Sequence, residues 1–378
     1  MCKFHKLAVL AKVFQLFKLY LYIEGEFCPS ADIVKGNAML PRERIMQNES
    51  LTLSEYACKA ADTRGRVIPE EPDEFRTDFQ RDRDRIIHCR AFRRLKHKTQ
   101  VFLIPHSDHY RTRLTHTLEV SQISRTVSRA LGLNEDLTEA IALGHDLGHT
   151  PFGHDGEHVL AGLMPDGFAH NIQGRRVVEF IEKDGRGLNL TAEVIDGIVG
   201  HTTSGGAPLP FTREGMVVRF CDKIAYINHD IEDAIRGGVI RESDLPEYPV
   251  KILGQTKSAR IATLVGSLVD GGAENIHMDE ITKKAHDELR AFMFERVYHA
   301  KPTVAEKDKA QYIVEFLYKY FIDRPEKMPG LYLTLAERFD KPTAVGDFIS
   351  GMTDDYAVNL FKEICIPKGW NGSTSRLI

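Results

Sequence analysis

The residues best able to do chemistry sit in one stretch, His145-Asp146-Leu-Gly-His149-Thr-Pro-Phe-Gly-His154-Asp-Gly-Glu157. The adjacent His145 and Asp146 supply an imidazole and a carboxylate from neighbouring positions, a pairing that suits a divalent metal ion. The glycines and Pro151 then turn the backbone sharply, so that His149 and His154 can point back toward the same place. Leu137 and Ile141 lead to His145 in steps of four, which puts this histidine on the buried face of a helix at its end. A histidine on an apolar stripe is commonly a core residue with a satisfied hydrogen bond. Here the carboxylate beside it and the glycine turn after it favour a ligand.

Two other helices carry matching groups. His116 lies one turn ahead of a core stripe, Val120, Ile123, Val127 and Leu131. Asp222, Tyr226 and Asp230 recur every four residues within the wide apolar face of Val217, Phe220, Cys221, Ile224, Ile227 and Ile231. Carboxylates on such a helix are costly to bury without a cation or partner, the alternative being a stripe that faces solvent. Together His116, His145, Asp146 and Asp222 form a set of two imidazoles and two carboxylates. Mn, Mg, Fe, Co, Ni and Zn ions all fit such N/O ligation, and the residue types do not choose among them.

The elements that must position these groups read as helices, and the expected fold class is mostly α. Thr77-Asp-Phe-Gln80 has the form of a capping box and opens a helix expected to run to about Lys98, with Ile87, Ala91 and Leu95 on its inner face. Its other face carries Arg81, Arg83, Arg85, Arg90, Arg93 and Arg94. This is either a solvated face balanced by Asp78, Asp82 and Asp84 or a contact for an anion or a second subunit. Pro105-His-Ser-Asp108 precedes the His116 helix, which spans about Arg113 to Leu131, and Asn134 caps the helix that ends at His145. The Asp222 helix covers about Glu214 to Ile235. Further helical pieces are expected near 177–182, 256–270, 279–298, 306–321 and 331–338, with no run of alternating strands.

Composition narrows the function classes. The chain has 378 residues, 42% hydrophobic and 28% charged, as expected for a globular protein with a real core. Fifty basic residues against 54 acidic ones leave a formal charge of −4, which gives no push toward nucleic acid or membrane. Six scattered cysteines without a C-x-x-C pair point to free thiols in a reducing cytoplasm. Histidine is in excess, with 16 in the chain and seven of them between His106 and His158. The apolar stretch from Leu7 to Ile23 is interrupted by Lys12, Gln15 and Lys18, too short and too charged to span a membrane. Residues 1–45 are expected to be an extension outside the domain, with Met39 or Met46 as alternative starts.

The order H…HD…D on helices resembles the HD superfamily of metal-dependent phosphohydrolases. A longer set of motifs resembles its deoxynucleoside triphosphate triphosphohydrolase branch, the dGTPase-like proteins. It comprises Arg81-Asp-Arg-Asp-Arg85-Ile-Ile, Ala91-Phe-Arg-Arg94-Leu, Lys98-Thr-Gln100-Val-Phe, Arg111-Thr-Arg113-Leu-Thr-His116-Thr, His145 to His154, and Cys221-Asp-Lys223-Ile-Ala-Tyr226. The resemblance is close from about Arg76 to Gly237 and looser beyond. It implies an N-terminal helical segment over 46–110, an HD core over 111–237 and a C-terminal helical region over 238–378. The implied reaction converts a dNTP, dGTP or more broadly, to a deoxynucleoside and inorganic triphosphate, with water attacking the α-phosphorus.

Carried over by motif, His116, His145, Asp146 and Asp222 would bind the metal, and His154 would be the general acid for the leaving 5′-oxygen. Glu157 would orient His154, with His170 in the same relay. Arg113, His149 and Lys223 would hold phosphate oxygens, Tyr226 and Asp230 the deoxyribose, and Gln100 the sugar and base edge. Read without the resemblance, Lys223 serves equally as a surface lysine, Tyr226 as a core aromatic and Glu157 as a helix first-turn acid. The resemblance also implies a homo-oligomer and a nucleotide or single-stranded DNA effector, and no membrane partner. Two other readings compete: another HD-type nucleotide phosphohydrolase or phosphodiesterase, and a nucleotide-sensing or nucleic-acid-binding module with a structural metal. The absence of a Gly-Tyr-Pro signature weighs against a cyclic-dinucleotide phosphodiesterase, and a complete acid–base set weighs against a sensor.

Overall fold

The computed structural model describes residues 39–100, 111–202, 206–298 and 301–367. The stretch from Leu7 to Ile23 and the Pro105–Asp108 break lie outside the described residues. As expected, the described chain is helical, and its β-pairing is limited to two isolated bridges, Arg66 with Thr191 and Thr99 with Thr112. No described helix is long and apolar enough to cross a membrane.

Four helices build the core around the site. They are α4 (Arg113–Ala130), α5 (Glu135–Gly144), α8 (Ala192–Gly200) and α9 (Arg213–Arg236), which pack against one another, with α2 (Asp78–His88) lying on α5. Of the four, α4, α5 and α9 start at a side-chain cap, whereas α8 follows Thr191, whose hydroxyl donates to Asp82. Asn134 Oδ1 accepts from the backbone N–H of Asp136 and Leu137, and Thr212 Oγ1 accepts from Gly215 N–H. Val120, Ile123 and Val127 of α4 meet Leu137 and Ile141 of α5 and Val217, Ile224 and Ile231 of α9, all buried. Burying a Leu, Ile or Val side chain contributes about 1.5–3 kcal/mol, so this face fixes how the helices lie and therefore where His116, His145 and Asp222 meet. Glu214 ties the N-terminal segment, which begins with α1 (Pro41–Thr52), to the core, accepting from the backbone N–H of both Cys58 and Asn134 at 3.0 Å.

The helix expected from Thr77 to Lys98 is interrupted. It breaks at Cys89 into α2, the short α3 (Arg90–Arg94) and a single 3₁₀ turn. Cys89 is extended (φ −74°, ψ 160°), and the freed N–H groups of Arg90 and Ala91 are taken up by the buried carboxylate of Glu182. The break shifts the inner face, so that Ile86 is fully buried and Ile87 is exposed, correcting the expected register. The capping box itself is present, with Thr77 and Gln80 bonding reciprocally.

Most of the arginines find carboxylates, largely beyond the three expected acids. Arg81 and Arg85 both reach Glu70, and Arg83 reaches Asp84, Asp136 and Glu139. Arg81 and Arg85, with Arg76, Arg90, Arg93 and Arg186, line a cavity of 490 Å³ that shares no residue with the cluster of His116, His145 and Asp222.

Beyond the core, α6 (His154–Leu163) leads to α7 (His170–Arg176), which begins earlier than the helix expected near 177 and runs into a π turn at Val177–Ile181. After α10 (Glu247–Leu253) and α11 (Lys257–Asp270), α12 (Glu280–Met293) ends in a second π turn, Phe294–Tyr298. Then follow α13 (Lys301–Asp323), α14 (Gly330–Arg338), α15 (Lys341–Ser350) and α16 (Asp354–Cys365). Among these, α13 packs on α6 and α15 packs on α7, so the C-terminal region reaches the helices that His154 and His170 open.

Candidate active site

Three helices deliver the donors to one place. His116 on α4, His145 at the end of α5 and Asp222 on α9 each offer a ligand atom within 4.8 Å of the others. His116 Nε2 lies 3.1 Å from Asp222 Oδ1, and His145 Nε2 lies 3.7 Å from the same oxygen. Asp146 Oδ1 is 3.3 Å from His145 Nε2, and its Oδ2 is 3.9 Å from His116 Nε2. The ring of His145 is fixed by its Nδ1, 2.6 Å from the carbonyl of Ala142, which can only accept. That bond sets the tautomer and leaves the Nε2 lone pair facing the carboxylates, buried and without a partner. An orphaned, correctly oriented lone pair beside one buried and one partly buried carboxylate fits a divalent cation with N/O ligands.

Electrostatics agree with that fit. Burial alone would raise the Asp222 carboxyl, but the hydrogen bond from His116 outweighs it and holds it well below the usual range. Burial likewise opposes ionisation of Asp146, and the Arg113 guanidinium and the hydrogen bond from His149 overcome it. Both carboxylates are therefore anionic in the interior.

Beside this cluster lies an anion-ready wall. Arg113 is buried, with Nη1 at 3.1 Å from Asp146 Oδ2, while its Nε and Nη2 are buried without partners. His149 Nε2 meets Asp146 Oδ1 at 3.0 Å, and its Nδ1 is also a buried orphan. Burial, then the charges of Arg113 and His170, hold the His149 imidazole well below its ordinary value. Gly153 permits this approach. It sits at φ +60°, and a Cβ there would lie 3.0 Å from Arg113 Nη2.

The turn then leads into a second cluster of titratable groups. His154 opens α6 and is largely exposed, with Nδ1 at 3.0 Å from Glu157 Oε2. Glu157 Oε1 accepts from His170 N–H at 2.8 Å and lies 2.9 Å from His170 Nδ1. Burial opposes the ionised form of Glu157, yet the His154 and His170 hydrogen bonds hold its carboxyl far below the usual range. His149, His154, Glu157 and His170 also lie close enough together to suggest a second metal cluster. Ring geometry argues otherwise. His149 and His170 stack at 4.0 Å with planes 13° apart, and a metal must lie near the plane of each ring that ligates it. Two nearly parallel stacked rings cannot both meet that condition.

Of the remaining expected residues, three lie on α9 and one precedes α4. Lys223 is partly buried on α9, and burial, then Arg219, lowers its ammonium. Tyr226 Oη accepts from Arg290 Nε at 2.9 Å, and Asp230 is buried and accepts from Tyr298 Oη. Burial pushes the Asp230 carboxyl up to about 7. Gln100 has a buried, unpartnered Oε1, and its backbone carbonyl is near Gly153.

Sequence reasoning missed Arg290, Tyr298, His201, Lys98 and Asp354. Arg290 and Tyr298 come from α12 and the π turn after it, and no spacing links them to α9. His201 lies outside the histidine-rich stretch between His106 and His158, yet its Nε2 is 3.2 Å from His170 Nε2.

Comparison with known proteins gives the family. Residues 113–227 match the HD domain and residues 276–363 match the phosphohydrolase-associated domain. A deoxyguanosinetriphosphate triphosphohydrolase-like protein of Caldanaerobacter subterraneus subsp. tengcongensis is 54% identical over 334 residues, covering 88% of this chain and 98% of that protein. Proteins of the same description from Clostridium tetani (49%; 86% of this chain, 97% of the relative) and Clostridium perfringens (50%; 86% and 98%) are similar in extent. HD domains bind divalent metals and these relatives support a hydrolase. The chain belongs to the HD-domain family of deoxyguanosinetriphosphate triphosphohydrolase-like proteins.

Proposed function

We propose that this protein hydrolyses a deoxynucleoside triphosphate, dGTP or a broader set, to deoxynucleoside and inorganic triphosphate. The observation that carries the reading is the set of buried, unpartnered polar atoms on His145, His149 and Arg113, beside two anionic carboxylates. Buried polar groups are ordinarily satisfied, so this concentration marks a place built for a cation and an anion together. A metal with phosphate oxygens supplies both.

His116, His145, Asp146 and Asp222 would hold the divalent ion. Such an ion supplies Lewis-acid polarisation of a phosphoryl oxygen and makes water a better nucleophile at neutral pH. Arg113 offers its free Nε and Nη2 as a fork for phosphate oxygens, with Lys223 as a point charge and His149 beside them. Water adds to the α-phosphorus as the bond to the 5′-oxygen breaks, and His154 donates a proton to that oxygen. With Nδ1 engaged by Glu157, the outward Nε2 of His154 is the atom that delivers it. The Glu157 carboxylate favours the protonated ring, and His170 holds the far side of the carboxylate. Tyr226 and Asp230 would pack and bond the deoxyribose, fixed in place by Arg290 and Tyr298.

The test is product analysis. Purified protein with Mn²⁺ or Mg²⁺ receives each dNTP alone and in mixtures, and products are resolved by ion exchange. Triphosphate with deoxynucleoside is expected. Pyrophosphate with a monophosphate would refute the reading and favour another HD-type phosphohydrolase.

A further inference from the structure

The turn that carries His149 and ends at His154 does not hold its shape alone. Phe152 has a left-handed backbone (φ 62°) although it is not glycine, a conformation of the kind that costs about 1–3 kcal/mol and persists only when neighbours enforce it. Its N–H donates to Asp354 Oδ1 at 2.9 Å. The other oxygen of the same buried carboxylate accepts from Thr99 N–H at 2.9 Å and from Thr99 Oγ1. Thr99 bridges to Thr112, the residue before Arg113. One carboxylate at the start of α16 thus joins the glycine turn to the segment that leads into α4.

A second bond set runs parallel to the first. The buried ammonium of Lys98 donates to the carbonyl of His149 and to the carbonyl of Ser350, the latter at 2.7 Å. Ser350 and Asp354 both lie in the C-terminal region, far in sequence from the turn. Neither Asp354 nor Lys98 belongs to the acid–base arm, and both are committed to backbone groups of the segments that carry it.

We propose that Asp354 is a positioning residue for the general acid: with Lys98, it makes the C-terminal helical region set the angle at which the 149–153 turn presents His154. This rests on the hydrolase reading above. A displacement of about 1 Å in a reacting group is enough to cost about a hundredfold in rate, so loss of one of these bonds should register in turnover.

The experiment compares two substrates in the full-length protein. One is the dNTP that the wild type cleaves, and the other is its analogue with sulfur in place of the bridging 5′-oxygen. A thiol has a pKa of about 8.5 and leaves as thiolate without a proton donor. Asp354→Asn keeps the side-chain volume but converts one acceptor oxygen into an NH₂ group. Expected is a drop in kcat of about tenfold or more on the oxygen substrate, and a change of less than about threefold on the sulfur analogue, with metal content unchanged. Equal slowing on both substrates, or full activity on both, would overturn the inference. Should Asp354→Asn fail to fold, Thr99→Val removes a single bond to Asp354 and is read by the same ratio: selective slowing of the oxygen substrate supports the inference, and an unchanged ratio overturns it. A wild type that releases no triphosphate from any dNTP would sink the hydrolase reading itself, an outcome distinct from these.

Discussion

At the scale of residues, the site depends on which ring nitrogen faces which oxygen. His145 has its tautomer fixed by Ala142 and His154 has Nδ1 engaged by Glu157, so one is prepared to ligate and the other to donate. The two roles separate under mutation. His116→Ala is expected to lose bound metal and turnover together, measured by elemental analysis and product release; a variant with full activity would refute the ligand assignment. His154→Gln is expected to keep its metal while kcat falls about 10²–10⁴-fold, the usual worth of general acid catalysis. Much of this was legible in the sequence, because His145-Asp146 and the glycine turn are local. The partners that fix it were not. Asp354 reaches Phe152 from 202 positions away, and no periodicity records such a bond.

At the scale of elements, close approach and burial dominate. Gly148 lies against the start of α7, where a Cβ would come within 2.1 Å of the His170 carbonyl and 2.2 Å of Gly174 N. Gly148→Ala must therefore move backbone, and a loss of about 1–3 kcal/mol is expected, seen as a lower Tm, together with slower turnover through displaced His170. Glu214, at the start of α9, gives a pH-dependent prediction. Burial, offset only partly by bonds from Asn134 and Cys58, raises its carboxyl from 4.5 to about 7. The folded protein then holds this proton to higher pH than the unfolded chain. Its stabilising contribution is full below about pH 4.5 and is lost as pH rises through 7, a swing of about 3 kcal/mol. Glu214→Gln should accordingly raise Tm at pH 8 relative to the wild type, with the gap narrowing toward pH 5; a gap independent of pH would contradict the assignment. The helices of the core were readable from their apolar spacing and caps. The break at Cys89 was not, since it depends on Glu182 arriving from a distant turn to satisfy the exposed N–H groups.

At the scale of the molecule, the metal cluster joins α4, α5 and α9, so occupancy should stabilise the whole core. An ion at a hundred times its Kd contributes about 2.7 kcal/mol. Added Mn²⁺ is expected to raise Tm in the wild type and to leave His145→Ala unmoved, by thermal unfolding followed with circular dichroism. The C-terminal helices were visible in the sequence only as helical pieces, and their contact with the acid–base turn emerges from packing of α13 on α6 and α15 on α7. The account as a whole turns on where water adds. Hydrolysis in water enriched in ¹⁸O, with products separated and weighed by mass spectrometry, decides this directly. Attack at the α-phosphorus predicts one ¹⁸O in the inorganic triphosphate and none in the deoxynucleoside. Label in the deoxynucleoside, or label in a released pyrophosphate, would contradict it.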